Sequence, residues 1–321
     1  MVGSWKLGAV VIGVAVAAGL ALRAGAAGVE PSVEVVTRDD FRLIPLNPLR
    51  GDASPRAGVL WGDLREDVPT GAIIQFAPDF ASPPHIHNIT YRAVVLEGMV
   101  HNDDPDAEDM WMGPGSFWTQ PAGEVHVTAV GPMGGTAFLE IFSGPYLVQP
   151  SQDAFDNGER PINMEQRNVV WLDASDITWV EQSAGATGLE MAFLWGAPSP
   201  GASNGTFIKL PPNFTGAMNT GGSDIKSVVV QGSVDHEAEP YTERRHLAAG
   251  SYFGSAGNVS HSVTCTSSTQ CVLYVHAVGN YQVVSAVPDR MESFAPEQPP
   301  AFLRGGHSGR AACGATCPSA E

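Results

Sequence analysis

The sequence predicts an all-β protein made of two tandem copies of one fold, and three observations carry that expectation. Gly 36 and Pro 25 fill about a fifth of the 321 residues, a composition that favours short strands and tight turns over long helices. The apolar runs at 72–76, 91–96, 115–120, 126–130 and 137–142 are short, rich in β-branched and aromatic residues, and bounded by Gly or Pro, as strands are. Blocks of the first half then return at a near-constant offset. Leu60-Trp61-Gly62 recurs as Leu194-Trp195-Gly196, and Val94-Val95-Leu96-Glu97-Gly98 as Val228-Val229-Val230-Gln231-Gly232, each 134 positions on. Gly115 and His126 match Gly250 and His261 at 135.

Taken in chain order, Lys6, the apolar run 7–22 and the small residues after Arg23 read as a secretory signal ending near residue 27. The first copy then spans 28–155 and the second 156–295, divided in the polar stretch 150–168. The segment 296–321, with Pro299-Pro300 and Gly305-Gly306, reads as a loose tail. All four cysteines lie late in the chain, and an exported protein favours disulfides. Cys265 and Cys271 flank 266–270 between apolar runs, which suits a bridge across a hairpin mouth and leaves Cys313 to pair with Cys317. The spacings do not fit the usual paired-cysteine zinc pattern.

Charge narrows the partners. Lys+Arg 17 against Asp+Glu 34 gives a net −17, a surface that repels phosphate backbones and anionic lipids. Neither nucleic acid nor a membrane beyond the signal segment is an expected partner; a small molecule is.

The chemistry concentrates in the first copy. Residues two apart on a strand share a face, so His85 and His87 in Pro83-Pro84-His85-Ile86-His87 present two imidazoles together. His126 opens the strand after the turn set by Pro121 and Gly123. Three neutral nitrogens on rigid elements are what a divalent metal needs, with positions left open for substrate. These residues resemble the cupin superfamily, small jelly-roll barrels with a metal in the mouth. Gly115, Pro121, Gly123 and His126 match every position of its second motif, Gly-x5-Pro-x-Gly-x2-His. Its first motif is matched by His85, His87 and Gly98, but Asp79 stands at the leading glycine and Tyr91, or Arg92 with the longer spacing, at the glutamate.

The resemblance implies two tandem RmlC-like cupin barrels, a bicupin, with one divalent ion (iron, zinc, manganese, nickel or copper) on His85, His87 and His126. Tyr91 takes the glutamate's place, as a fourth ligand or as a donor behind the ligands. Glu140, in the apolar strand 138–142, either faces the cavity as a general base or faces solvent; alternation alone does not choose. His101, followed by Asp103 and Asp104, reads as a solvated loop residue, and Trp111, Phe117 and Trp118 as candidate cavity walls. In the second copy the offset turns His85 into Asn219, His87 into Gly221 and Tyr91 into Ile225, leaving only His261. That half is expected to be metal-free.

Three neutral histidines leave an ion enough free positions for a chelating substrate and dioxygen together. Dioxygenase chemistry on a small molecule therefore leads. A redox-neutral lyase, isomerase or hydrolase, with Tyr91 or Glu140 moving the proton, is the alternative, and a non-catalytic ligand- or metal-binding barrel lies outside catalysis. A monomer or a homodimer is expected, since two fused barrels already supply the pairing.

Overall fold

The computed structural model describes residues 30–173, 176–177 and 188–286. The signal segment, the tail and the Cys313–Cys317 pairing lie outside these. In the first half the strands are β1 (Ser32–Val36), β2 (Ile44–Pro45), β3 (Arg56–Trp61), β4 (Thr70–Phe76) and β5 (His85–His87). They continue with β6 (Tyr91–Asp103), β7 (Phe117–Gln120), β8 (Val127–Ile141) and β9 (Val148–Pro150). The second half has β10 (Ile162–Met164), β11 (Leu172–Asp173), β12 (Glu190–Gly196), β13 (Ser203–Leu210), β14 (Thr215–Asn219), β15 (Asp224–Gln231) and β16 (Ser233–Ala238). It closes with β17 (Thr242–Ala248), β18 (Tyr252–Ala256), β19 (Ser260–Cys265), β20 (Cys271–Val278) and β21 (Gln282–Ser285). Every strand pairing among them is antiparallel. Among the described residues no helix is long and apolar enough to cross a membrane.

Parity along the strands sorts side chains into two layers. On β8, Ala137, Leu139 and Ile141 turn into the first half with Ile74, Tyr91, Ala93, Val95 and Trp118. Phe138, between them, turns the other way into a second apolar layer, as a period of two requires. That second layer joins the halves, and its members fall at equivalent positions of the repeat. Leu60, Ile73, Val94 and Leu96 meet Leu194, Phe207, Val228 and Val230, each 134 positions later, and Phe138, paired with Ile73, meets Tyr274, paired with Phe207.

The polar contacts at this seam are reciprocal as well. Arg92 lies over Trp195 at 4.3 Å and Lys226, its repeat equivalent, over Trp61 at 6.0 Å. Self-complementary pairing of this kind belongs to a two-fold interface. Edge strands are exchanged too: β1 pairs with β18 of the later half, and β10 with β7 of the earlier one.

Two expectations are corrected by the topology. The Cys265–Cys271 disulfide forms, but β19 and β20 belong to different sheets, so the bridge spans a bend between sheets rather than a hairpin mouth. His101 is not in a solvated loop: it lies on β6, 4% exposed, with Nδ1 3.3 Å from the Met110 carbonyl. The polar run after it hid the fact that β6 continues to Asp103.

Candidate metal centre

Backbone pairing builds the site. His85 and His126 exchange both main-chain hydrogen bonds at 3.0 Å, which places them directly opposite one another with side chains on one face. Their ring centroids lie 4.2 Å apart. His87 follows on the same face of β5, while Ile86 between them is fully buried on the other. Gly123, at φ 78°, sends its N–H to the His87 carbonyl at 2.8 Å, and a Cβ there would meet the Phe155 carbonyl at 2.3 Å. Only glycine fits that turn.

The remaining departure in the motif has a structural answer. Asp79, where the cupin pattern carries glycine, sits at φ 55°, and its repeat equivalent Asn213 at φ 60°. Asp and Asn are the side chains that best tolerate this left-handed backbone, so the turn survives without the glycine.

Hydrogen bonds behind the rings settle the tautomers. Nδ1 of His85 lies 2.9 Å from the Pro83 carbonyl, Nδ1 of His87 2.9 Å from the Leu147 carbonyl, and Nδ1 of His126 3.1 Å from the Glu124 carbonyl. A carbonyl only accepts, so each Nδ1 carries the hydrogen and each Nε2 presents a lone pair. Burial keeps the imidazoles neutral: the pKa of His126 is pushed down to about 3, that of His87 well below 6.5, and that of His85 in the same direction. Each residue offers a ligand atom within 4.8 Å of the others. His126 Nε2 is buried without a hydrogen-bond partner. Ligating histidines are held in this way, the far nitrogen donating to a carbonyl, so the donor set fits one divalent ion. Among the described residues it is the one such cluster.

A cavity of about 680 Å³ opens over His85 and His87, walled by Ile74, Phe76, Phe80, Trp118, Leu139 and Val148, with no acidic residue in its lining. Trp118 is thus a wall, whereas Phe117, its neighbour of opposite parity, packs in the seam and Trp111 lies against His101 at 37% exposure. Tyr91 lines the cavity with its ring edge-on to His87 at 5.3 Å. Its hydroxyl donates to Asn102 Oδ1 at 3.1 Å and accepts from Trp118 Nε1 at 3.3 Å, and burial pushes the phenol pKa up.

Glu140 is not brought to the cluster. It is 1% exposed and accepts from the Tyr274 hydroxyl and from His276 Nδ1 at 3.2 Å, both across the seam. Neither cavity nor solvent receives it, because Phe138 and Glu140, near the end of β8, share the face turned to the other half. In the second half His261 is spent on its neighbours, with Nδ1 2.9 Å from His236 Nε2 and Nε2 2.8 Å from Ser255 Oγ.

Sequence reasoning missed Tyr146. Its hydroxyl lies 3.1 Å from His87 Nε2 and its ring stacks on the imidazole at 4.4 Å. It follows the turn after β8, and the β5–β9 pairing that brings it in joins segments some 60 residues apart, with no local signal.

A family model described as a domain of unknown function, DUF4437, matches residues 34–284. This chain belongs to the DUF4437 family. In structure, the DUF4437 protein is similar to a candidate dioxygenase from Nostoc punctiforme, at TM-score 0.57 and 12% identity over 80% of this chain and 87% of that one. It is also similar to salicylate 1,2-dioxygenase from Pseudaminobacter salicylatoxidans, at TM-score 0.50 and 13% identity over 74% and 83%. At such identities the likeness establishes the fold, an all-β architecture that the DUF4437 chain shares with both proteins. A search with the sequence against curated proteins finds no match.

Proposed function

We propose that this DUF4437 protein is a metal-dependent enzyme acting on a small molecule, a dioxygenase-type oxidoreductase whose centre is His85, His87 and His126. The observation that carries the reading is the convergence of three lone-pair nitrogens, one of them buried and unpartnered, under an apolar cavity. A bound redox-active ion such as iron would supply the chemistry that joins dioxygen to a chelating substrate. The chain's own part is to hold the donors rigid through carbonyl-anchored rings, to exclude water with the apolar walls, and to seat a substrate of moderate size. Cavities of this volume take small organic ligands.

The same reading has the chain exported after loss of residues 1–27 and organised as barrels over 28–155 and 156–295, acting as a monomer or homodimer. The matched seam residues and the Cys265–Cys271 bridge support it. Elemental analysis of the protein purified without chelators, beside His126→Ala and His261→Ala, is the test. About one ion per chain is expected in the parent and in His261→Ala, with loss in His126→Ala. Iron directs the next step to oxygen-consumption assays with chelating substrates, whereas zinc, manganese or nickel replaces the oxidative reading with lyase or hydrolase chemistry. Equal metal loss in both variants, or none bound at all, sinks it.

A further inference from the structure

Tyr146 is held where a ligand at the three imidazoles has to pass. Asn88 fastens the segment on both sides of it, donating from Nδ2 to the Pro145 carbonyl and accepting from the Leu147 N–H, each at 2.9 Å. The Tyr146 N–H bonds the Leu64 carbonyl at 2.8 Å, and the Leu147 carbonyl receives the Nδ1 hydrogen of His87. The segment is therefore held by hydrogen bonds before and after the tyrosine, while Tyr146 lines the cavity.

Because His87 Nδ1 carries that ring's hydrogen, its Nε2 can only accept, and the Tyr146 O–H donates to it across 3.1 Å. The lone pair so covered is the one an ion would take. Once it is taken, the hydroxyl hydrogen loses its acceptor. The cavity lining is mostly apolar, its side-chain acceptors are engaged, Asn47 Oδ1 by the Leu49 N–H and Ser82 Oγ by the Thr128 N–H, and Tyr91, 6.0 Å away between ring centroids, has its own hydroxyl committed to Asn102. Tyr146 is half-buried, and a hydroxyl in that setting left without an acceptor is costly.

We infer that Tyr146 is the site's hydrogen-bond donor: it releases His87 when the centre is loaded and donates instead to an acceptor atom of the molecule held there. This gives the site a preference for ligands that place an oxygen acceptor, such as a carbonyl or hydroxamate oxygen, beside the three imidazoles. The inference rests on the metal reading above and adds a selecting residue to it.

The test uses the cobalt(II)-loaded full chain and its Tyr146→Phe variant, titrated with two probes and followed by the visible cobalt spectrum. Acetohydroxamate presents oxygen acceptors; imidazole binds through one nitrogen and offers a donor on the other. The variant is expected to bind one cobalt with the parent's unliganded spectrum, to bind acetohydroxamate about tenfold more weakly, as loss of a charge-assisted hydrogen bond implies, and to bind imidazole no more weakly. Equal acetohydroxamate affinity in the two proteins, or equal weakening of both probes, overturns the inference. So does an altered spectrum or lost cobalt before any probe is added, which would make the phenol a ligand. A parent that takes up no cobalt instead removes the metal reading itself.

Discussion

Two tyrosines meet the same histidine, and only one was visible in the sequence. Tyr91 drew attention because it fills a motif position, yet its hydroxyl belongs to a buried network. Asn102 Oδ1 accepts from it and from Thr128 Oγ1, and Asn102 Nδ2 donates to Gln120. Tyr91→Phe is expected to keep its metal content and to lose about 1 kcal/mol of stability, since it deletes a donor to Asn102 and the acceptor of the Trp118 N–H. Urea unfolding with parallel elemental analysis checks it; loss of the ion would return Tyr91 to the ligand set. The three histidines were legible because their signals are local: an i, i+2 pair on one strand, and a turn whose Pro and Gly spacing delivers the third. Tyr146 had no such signal, since its place depends on the pairing of β5 with β9.

At the level of the strands, glycine marks where the barrel bends. β6 and β8 are long and bulged at Gly98, while their counterparts in the second half are broken into β15–β16 at Gly232 and β19–β20 at the disulfide loop. Gly98 and Gly232 share a left-handed backbone, φ 79° and 77°. A Cβ on Gly98 would meet the Gly134 carbonyl at 2.2 Å, so Gly98→Ala is expected to cost about 2 kcal/mol or more. Gly158→Ala has a similar φ of 86° but open space around it, and should cost only about 1 kcal/mol. Thermal denaturation of the pair decides this, and equal shifts would refute the steric account. Run lengths and turn residues made these strands readable, but the face each one presents was not, and Glu140 shows why. Alternation says that Phe138 and Glu140 share a face without saying what covers it.

At the scale of the whole chain, what covers that face is the other half. Glu140→Ala is expected to cost about 2–3 kcal/mol by leaving the Tyr274 hydroxyl and His276 without their shared acceptor, with metal content unchanged; calorimetry and elemental analysis measure both. The second half also sets an acid limit. Burial lowers the pKa of His236 to about 3 and of His261 to about 4, and both are fully buried. Unfolding returns them to about 6.5, so between pH 6.5 and pH 4 the unfolded chain binds protons that the folded one refuses. The stability they confer is complete above pH 6.5 and drains away below it, by an amount on the order of 2 kcal/mol for each histidine at pH 5. Urea midpoints against pH should fall across this window, and less steeply in a His236→Asn/His261→Asn variant, in which the lowered pKa values of His85, His87 and His126 still act; an unchanged slope would refute the account. The duplicated all-β organisation and the three clustered histidines were readable in the residues because repeat spacing, strand period and turn chemistry are local properties of a chain. Tyr146 over His87, Glu140 in the seam and the exchange of β1 and β10 were settled by the fold, because each joins segments distant in sequence whose meeting no local pattern encodes.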